Sequence, residues 1–428
     1  MITTVFIAFF LLLFLSAPVA IALGGSSLLA LLLESYSLTT IPQKVFEGLS
    51  GFTLLAIPFF ILAGNLMGSG GIAKRLVNFA SVLVKGVTGG VGTSTVLTTT
   101  IFSTISGSSS ATTAAIGSIM IPNMEKKGYA RNFAAALSAA AGEMGAVIPP
   151  SIVIIMYAMV SGTSIGGMFL ATIIPGLLVG VFLILANYLY VRKAGIDKRK
   201  IIVSKKQWFK EIFIAFKESI LALLLPVLIF GGIYLGYFSP TEVAVLAVIY
   251  SFILGVFVYK EIKLKDVHKV IMQSAMSTAI IMIIVGFASI FAYVLTINQV
   301  PHKVAEFLLG VTDNQILFLL LLNLLLLILG MFLEAFSAII IMTPILLPAA
   351  ISFGIDPIHF GVILILNLAC GMITPPVGVN LFIVSEIAKV PFEKLVRPAL
   401  FLIAFLLINV LLVTYIPALS TWLPSLLK

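Results

Sequence analysis

Charged side chains are scarce in this sequence. Only 10% of its 428 residues are Asp, Glu, Lys or Arg, whereas 61% are hydrophobic and the mean hydropathy is +1.22. Soluble domains carry about 25% charged residues, so the composition excludes an ordinary soluble domain. Apolar runs of bilayer-spanning length recur without strict alternation, which predicts an all-α polytopic membrane protein and argues against a β-barrel.

Cysteine and histidine, the residues that most often cross-link chains or bind transition metals, are nearly absent. The one cysteine is Cys370, which lies among apolar residues, so a disulfide within the chain is excluded. The three histidines are dispersed without metal-ligand spacing: His268, His302 and His359. The chain has no His-Glu-x-x-His motif and no Ser/His pair in neighbouring spans, so we do not expect an enzyme or an organic cofactor.

The apolar spans contain no Asp. All four aspartates fall in predicted loops: Asp197, Asp266, Asp313 and Asp356. A dedicated Asp/His proton relay is therefore poorly supported, and Na⁺ suits an oxygen-rich, largely uncharged site better. Glu143 and Glu334, the acids deepest in apolar surroundings, leave proton coupling open as an alternative.

The net charge of +9 is concentrated in short loops, as the positive-inside rule requires, so it does not predict nucleic-acid binding. Nine Lys and Arg residues lie between Arg192 and Lys217, which marks that loop as cytoplasmic. Residues 1–33 lack a basic n-region, and their apolar run is too long for a signal peptide; we interpret 3–33 as one long or bent span, with a pair of short spans as the alternative.

Two glycine- and proline-containing breaks interrupt apolar runs that otherwise look like membrane helices. They are Gly145–Pro150 (Gly-Ala-Val-Ile-Pro-Pro) and Gly371–Pro376 (Gly-Met-Ile-Thr-Pro-Pro). Proline lacks the N–H that continues a helix, and its ring crowds the preceding turn. In lipid, the freed carbonyls are costly unless protein, water or an ion satisfies them. A break of this kind placed twice indicates a transport site.

The two breaks belong to an internal repeat with an offset of 226 residues. The same offset pairs Pro122 with Pro348 and Gly128 with Gly354. A short polar tip precedes each break, Ser106–Ser110 in the first half and Leu333–Ser337 in the second, and predicts a re-entrant hairpin. Basic residues flank only the first hairpin, so the two should enter from opposite sides, as in an inverted-topology repeat. Such repeats place a binding site near the bilayer midplane.

Hydroxyls, backbone carbonyls and helix ends should converge where the tips meet the breaks. We nominate as Na⁺ ligands Ser103, Ser106, Gly145, Val147, Pro150, Glu334, Gly371, Met372, Thr374 and Pro375. We nominate as substrate-binding residues Ser108, Ser109, Ser151, Glu334 and Asn380. The alternative for the serine-rich tip is a small-residue helix interface. Glu143 could equally serve the site or stabilise the broken helix. Glu242 fits a helix cap formed with Ser239 and Pro240.

At these residues the sequence resembles the large membrane subunit of TRAP (tripartite ATP-independent periplasmic) transporters, of the DctM or SiaM type. The resemblance covers essentially the whole chain. The stretches that carry it are 56–67, 106–112, 145–151, 330–344 and 371–380. The family often has Asp where this chain has Glu334.

The resemblance implies a scaffold, an elevator-type transport domain and a bacterial inner-membrane location. It implies two partners, a small four-helix membrane subunit and a periplasmic substrate-binding protein. It also implies uptake of an organic acid, of the C4-dicarboxylate or sialic acid type, driven by transported Na⁺. The resemblance also implies the fold of the ion-transporter superfamily. The competing functions are an ion channel and a proton-coupled organic anion transporter of that superfamily. A channel would not need two oppositely entering hairpins.

The expected organisation has six parts. Residues 1–67 form N-terminal scaffold spans and 68–91 an interfacial arm helix. Residues 92–191 form the first transport half, with a hairpin over 92–128, a broken span over 130–162 and a span over 168–191. Residues 192–297 hold the basic loop and further scaffold spans, and 298–314 form a short polar second arm. Residues 315–428 form the second transport half, with a hairpin over 315–350, a broken span over 357–388 and a last span over 392–417.

Overall fold

The computed structural model describes residues 2–15, 17–196 and 205–426, and its regular secondary structure within these ranges is helical, without a β-strand. Part of the predicted basic loop, including Lys198, Arg199 and Lys200, lies outside the described residues. Eight of the described helices are long and apolar enough to cross a membrane, or nine if the bent first broken span counts as one. The chain is an all-α polytopic membrane protein.

The N-terminal helices are α1 (Ile2–Phe14), α2 (Val19–Leu33), α3 (Thr40–Leu49), α4 (Ala56–Ser69) and α5 (Ile72–Leu83). We expected one long or bent span over 3–33, with a pair of short spans as the alternative; the structure has two short helices there, as in the alternative. Helices α1 and α2 pack against each other, and Pro18 directly precedes α2. Helix α5 buries Ile72, Leu76 and Ala80 on one face, consistent with the amphipathic pattern.

The first half contains α6 (Gly90–Ser106), α7 (Ser109–Lys126), α8 (Arg131–Gly142), α9 (Met144–Val147), α10 (Ile152–Ser161) and α11 (Ile165–Ala194). Helices α6 and α7 form the first hairpin. Its two ends meet because Tyr129, just after α7, donates its hydroxyl to the carbonyl of Gly89 at 3.2 Å. The chain therefore returns to the side from which it entered.

The central helices are α12 (Lys205–Tyr234), α13 (Pro240–Phe252), α14 (Leu264–Ile297) and α15 (Val300–Val311). Helix α13 continues as a π-helix over Ile253–Val258. Ser239 and Glu242 form a capping box at the start of α13, so the interpretation of Glu242 as a structural cap is confirmed. The second arm is the helix α15, in place of the polar link that we expected, and it packs against the second hairpin.

The second half contains α16 (Gln315–Phe332), α17 (Ala335–Ser352), α18 (Pro357–Gly371), α19 (Val379–Ala388), α20 (Phe392–Tyr415) and α21 (Ala418–Ser425). Helices α16 and α17 form the second hairpin. Gln315 at its start donates its side-chain amide to the carbonyl of Phe353 at its end, at 3.0 Å. This hairpin also returns to its own side.

The two broken spans, α8–α10 and α18–α19, run antiparallel to each other. At one end, Arg131 Nε of α8 donates to the carbonyl of Ala388, the last residue of α19, at 2.6 Å. At the other end, the Tyr157 hydroxyl of α10 donates to the carbonyl of Pro357, the first residue of α18. The start of each span thus meets the end of the other, which is the arrangement of an inverted repeat.

Cysteine labelling in intact cells should reveal the sidedness of the fold. Ser164 caps α11 at the far end of the first broken span and is exposed, as is Lys260 between α13 and α14. With Cys370 buried, a cysteine at Ser164 should react with an impermeant maleimide from outside. A cysteine at Lys260, on the face marked by basic loops, should react only after the membrane is opened. The reverse pattern would overturn the orientation.

Candidate transport site

A cavity of about 320 Å³ lies where the two hairpin tips approach each other. The first tip contributes Ser106–Ala111, and the second contributes Glu334–Phe336. The remaining wall residues come from the two breaks and from α4, α10 and α14: Ile61, Gly64, Asn65, Ala146, Ile152, Val153, Ser277, Ile280, Ile281 and Met372. The volume is typical of a small-molecule site. The repeat therefore encloses a cavity at its centre, with α4 and α14 as the outer wall.

Glu334 is the only charged residue among those that line this cavity in the described chain. It is partly buried, and its carboxylate has no hydrogen bond or ion pair with any described residue. A carboxylate in such a place needs a partner with a positive charge or with hydrogen-bond donors. The cavity is thus equipped to receive a cation, or a donor-bearing part of a substrate.

The first tip and the first break touch through their backbones. Gly107 has φ +62°, and its carbonyl accepts the N–H of Ile152 at 3.1 Å. A Cβ atom on Gly145 would lie 2.5 Å from the carbonyl oxygen of Ser108. Glycine is needed at both positions, at Gly107 for the left-handed backbone and at Gly145 for the close approach.

Several candidate Na⁺ ligands of the first half lie in this contact or, like Ser103, one helical turn from it. Ser103 is fully buried, and its hydroxyl has no partner among the described residues. Ser106 donates its hydroxyl to the carbonyl of Ser108 at 3.3 Å. Val147 and Pro150 are buried in the break itself. An orphan buried hydroxyl beside unwound backbone is the kind of oxygen set that suits Na⁺.

The second break makes the same kind of contact with the second hairpin. A Cβ on Gly371 would lie 2.5 Å from backbone atoms of Gly330 in α16. Thr374 is buried and donates its hydroxyl to the carbonyl of Cys370 at 2.7 Å, one turn back. The backbone N–H of Asn380 donates to the carbonyl of Met372 at 3.1 Å. These contacts fix the position of the second set of oxygens.

The nominated residues separate into two groups. Those that line the cavity are Ser106, Ser108, Ser109, Glu334 and Met372. Those buried beside it are Ser103, Gly145, Val147, Pro150, Ser151, Gly371, Thr374 and Asn380, whereas Pro375 is half-buried. Ser151 donates its hydroxyl to the carbonyl of Ala146 at 2.7 Å, so this side chain closes the break and does not line the cavity.

The model of the family described as tripartite ATP-independent periplasmic transporter, DctM component, matches residues 6–419. The chain belongs to this family.

Three relatives show how closely this DctM chain follows the family. The C4-dicarboxylate TRAP transporter large permease protein DctM of Vibrio cholerae is 41% identical, over 96% of this chain and 94% of the relative. The sialic acid TRAP transporter large permease protein SiaM of the same species is 38% identical, over 97% and 96%. The isethionate TRAP transporter permease protein DctMQ of Oleidesulfovibrio alaskensis is 42% identical over 96% of this chain, which spans only 64% of that longer relative.

A solved structure supports the fold. The YdaH transporter of Alcanivorax borkumensis, described as having an unusual topology, aligns with a TM-score of 0.64 over 88% of each chain at 16% identity. At this identity the likeness concerns the fold alone.

The structure of this DctM chain adds residues that the sequence analysis missed. Asn65 of α4 and Ser277 of α14 line the cavity from the outer wall, and Asn65 donates to Ser274 at 2.9 Å. Asn65 is a polar residue in an apolar span and could have been noticed, whereas Ser277 carries no such signal. Glu143 does not line the cavity; it joins Ser109 and Asn380 in a buried cluster.

Proposed function

We propose that this DctM-family chain is the large permease subunit of a secondary transporter that imports an organic acid with Na⁺. The cavity between the two tips, walled by both halves of an inverted repeat, is the observation that carries the proposal. The names of the relatives support the substrate class, since they include permeases for C4-dicarboxylates, sialic acid and isethionate.

Na⁺ is the proposed coupling ion because the two breaks provide hydroxyl and carbonyl oxygens and few charged side chains. The ligands would be the hydroxyls of Ser103, Ser106 and Thr374 together with carbonyls of the breaks. No Lys or Arg lines the cavity in the described chain, so the negative charge of a substrate carboxylate needs another partner. Bound Na⁺ and the backbone N–H groups at the start of α7 would supply it.

The proposed transporter has two partners, a small four-helix membrane subunit and a periplasmic binding protein that delivers the substrate, and works in a bacterial inner membrane. The DctMQ relative supports the first, because its chain is considerably longer than this one. We propose an elevator motion in which the two repeats move against α4 and α14, the elements that close the cavity from outside.

Uptake into proteoliposomes tests this function directly. The chain is reconstituted with its small subunit and binding protein, and a panel of labelled organic acids is supplied. We expect accumulation of one acid when Na⁺ is higher outside, and none when Na⁺ is equal on both sides. Uptake that ignores the Na⁺ gradient and follows a pH gradient would favour the proton-coupled alternative.

Removal of one candidate hydroxyl from either half should weaken Na⁺ activation. Thr374→Ala and Ser106→Ala each delete one oxygen near a break, so the half-saturating Na⁺ concentration should rise by about 5- to 30-fold, as expected for about 1–2 kcal/mol. Ser138→Ala is the matched control, because among the described residues this buried hydroxyl bonds only to the carbonyl of Ala134 in its own helix. Unchanged Na⁺ activation in both test variants would contradict the site assignment.

A further inference from the structure

Glu143 is the most deeply buried acid of the described chain. It lies where α8 ends at the first break and is 2% exposed. No Lys, Arg or His of the described chain forms an ion pair with it. Burial of an acid without a cation is costly unless its oxygens are hydrogen-bonded, so the bonds that it makes are the reason it can be held there.

Those bonds form a closed triangle of three side chains. Ser109 Oγ donates to Glu143 Oε2 at 2.9 Å, and Asn380 Nδ2 donates to Glu143 Oε1 at 2.5 Å. Asn380 Nδ2 also donates to Ser109 Oγ, which closes the triangle. Ser109 begins the second arm of the first hairpin, whereas Asn380 belongs to α19 in the second half. The triangle therefore joins the two repeats at their centre.

Two corners of the triangle connect to the candidate Na⁺ sites, Asn380 through a backbone hydrogen bond and Ser109 through its chain neighbour Ser108. On one side, the N–H of Asn380 holds the carbonyl of Met372. On the other, Ser109 follows Ser108, whose carbonyl receives the hydroxyl of Ser106 and packs on Gly145. A continuous set of hydrogen bonds and backbone contacts thus runs from the first set of oxygens to the second.

The triangle departs from the symmetry of the repeat. The 226-residue offset that pairs the glycines and prolines relates Glu143 to Ala369, Ser109 to Ala335 and Asn380 to Ile154. None of these counterparts has a polar side chain. Since the second hairpin makes its own backbone contact with the second break, between Gly330 and Gly371, without such a cluster, the backbone fold does not require the triangle.

We propose that Glu143 is a positioning residue that couples the Na⁺ site of one repeat to that of the other; the inference rests on the proposed Na⁺-driven function. Na⁺ binding beside Ser106 and Gly145 orders the first tip. Through Ser109, Glu143 and Asn380, that order fixes the carbonyl of Met372 for the second ion. By linkage, the second ion favours the first equally.

Na⁺ activation of uptake in the complete reconstituted complex tests this coupling. For the wild type we expect a Hill coefficient close to two, the number of coupled sites, and for Glu143→Ala a fall to about one. Ser109→Ala, which removes two of the three bonds of the triangle and keeps the Glu143–Asn380 bond, is the milder variant and should also lower the coefficient. Ser138→Ala in α8, the helix that ends at Glu143, should leave the coefficient unchanged.

Glu143→Gln separates the hydrogen bonds from the charge. The Oδ1 atom of Asn380 has no partner in the described chain, so its amide can rotate and accept from the new glutamine. We expect this variant to restore the wild-type coefficient, which a purely electrostatic role would not allow.

The outcomes separate the two proposals. Uptake that does not depend on Na⁺ in the wild type overturns the proposed function and this inference together. Na⁺-dependent uptake with an unaltered Hill coefficient in Glu143→Ala or, if that variant does not assemble, in Ser109→Ala overturns the inference alone. An equal fall in Ser138→Ala would also overturn it, because the effect would then follow any change within α8.

Discussion

Replacement of Gly371 by alanine should reduce uptake by about 100-fold or more, the order expected when a site is displaced by about 1 Å. The added Cβ would lie 2.5 Å from the backbone of Gly330, and neither backbone can yield by rotating a side chain. The second break must therefore move away from the second hairpin, and the carbonyls of Gly371 and Met372 move with it. Initial uptake rates at saturating Na⁺ measure the effect.

The control for this prediction is Gly310→Ala. Gly310 lies in α15, and a Cβ there would meet no atom within 4 Å, so uptake should stay near the wild-type rate. Gly330→Ala should reproduce the defect, since its Cβ would lie 3.0 Å from Leu368. Normal transport by Gly371→Ala in correctly assembled protein would show that the close approach has no role in function.

Loss of the charge at Glu334 should raise the half-saturating substrate concentration by about 10- to 100-fold in Glu334→Gln, as expected when a charge-assisted bond of about 1.5–3 kcal/mol is lost. Glu334 is the one charged group that lines the cavity in the described chain, and no described residue satisfies it. Substrate titrations at fixed, saturating Na⁺ give the value.

Two further variants make this prediction specific. Glu334→Asp keeps the charge on a shorter side chain. Its half-saturating substrate concentration should lie between those of the wild type and Glu334→Gln. Glu306→Gln neutralises an exposed acid of α15 whose one ion pair in the described chain is with His302. This variant should keep the half-saturating substrate concentration of the wild type. A shift in the Na⁺ requirement alone, with unchanged substrate affinity, would assign Glu334 to the ion and not to the substrate.

Much of the architecture could be predicted because short stretches of the sequence determine it. Tandem prolines cannot continue a helix, and glycines permit close backbone contacts, so the paired breaks and the 226-residue offset identify the inverted repeat. The polar tips also identify the hairpins. A run of Ser or an isolated Glu inside an apolar sequence is stable in a membrane protein only where protein or a cavity surrounds it.

The features that could not be predicted depend on contacts between residues that are far apart in the sequence. The sequence left Glu143 balanced between two roles because its partners, Ser109 and Asn380, lie 34 and 237 residues away. Ser277 lines the cavity only because α14 packs beside the hairpin tips. The sequence did not separate α1 from α2 at Pro18, since the apolar run on both sides suited one long helix as well as two short ones.

The antiparallel pairing of the broken spans also governs how this protein is made. Arg131 of the first span bonds to a carbonyl 257 residues further along the chain, and at about 5–20 residues per second a ribosome needs on the order of 10 to 50 s to reach it. During that interval the first half has been made, but Arg131 and Glu143 still lack the partners that α19 provides, the carbonyl of Ala388 and the side chain of Asn380. Newly made protein should therefore pass through a protease-sensitive intermediate, which ends only when α19 has been inserted.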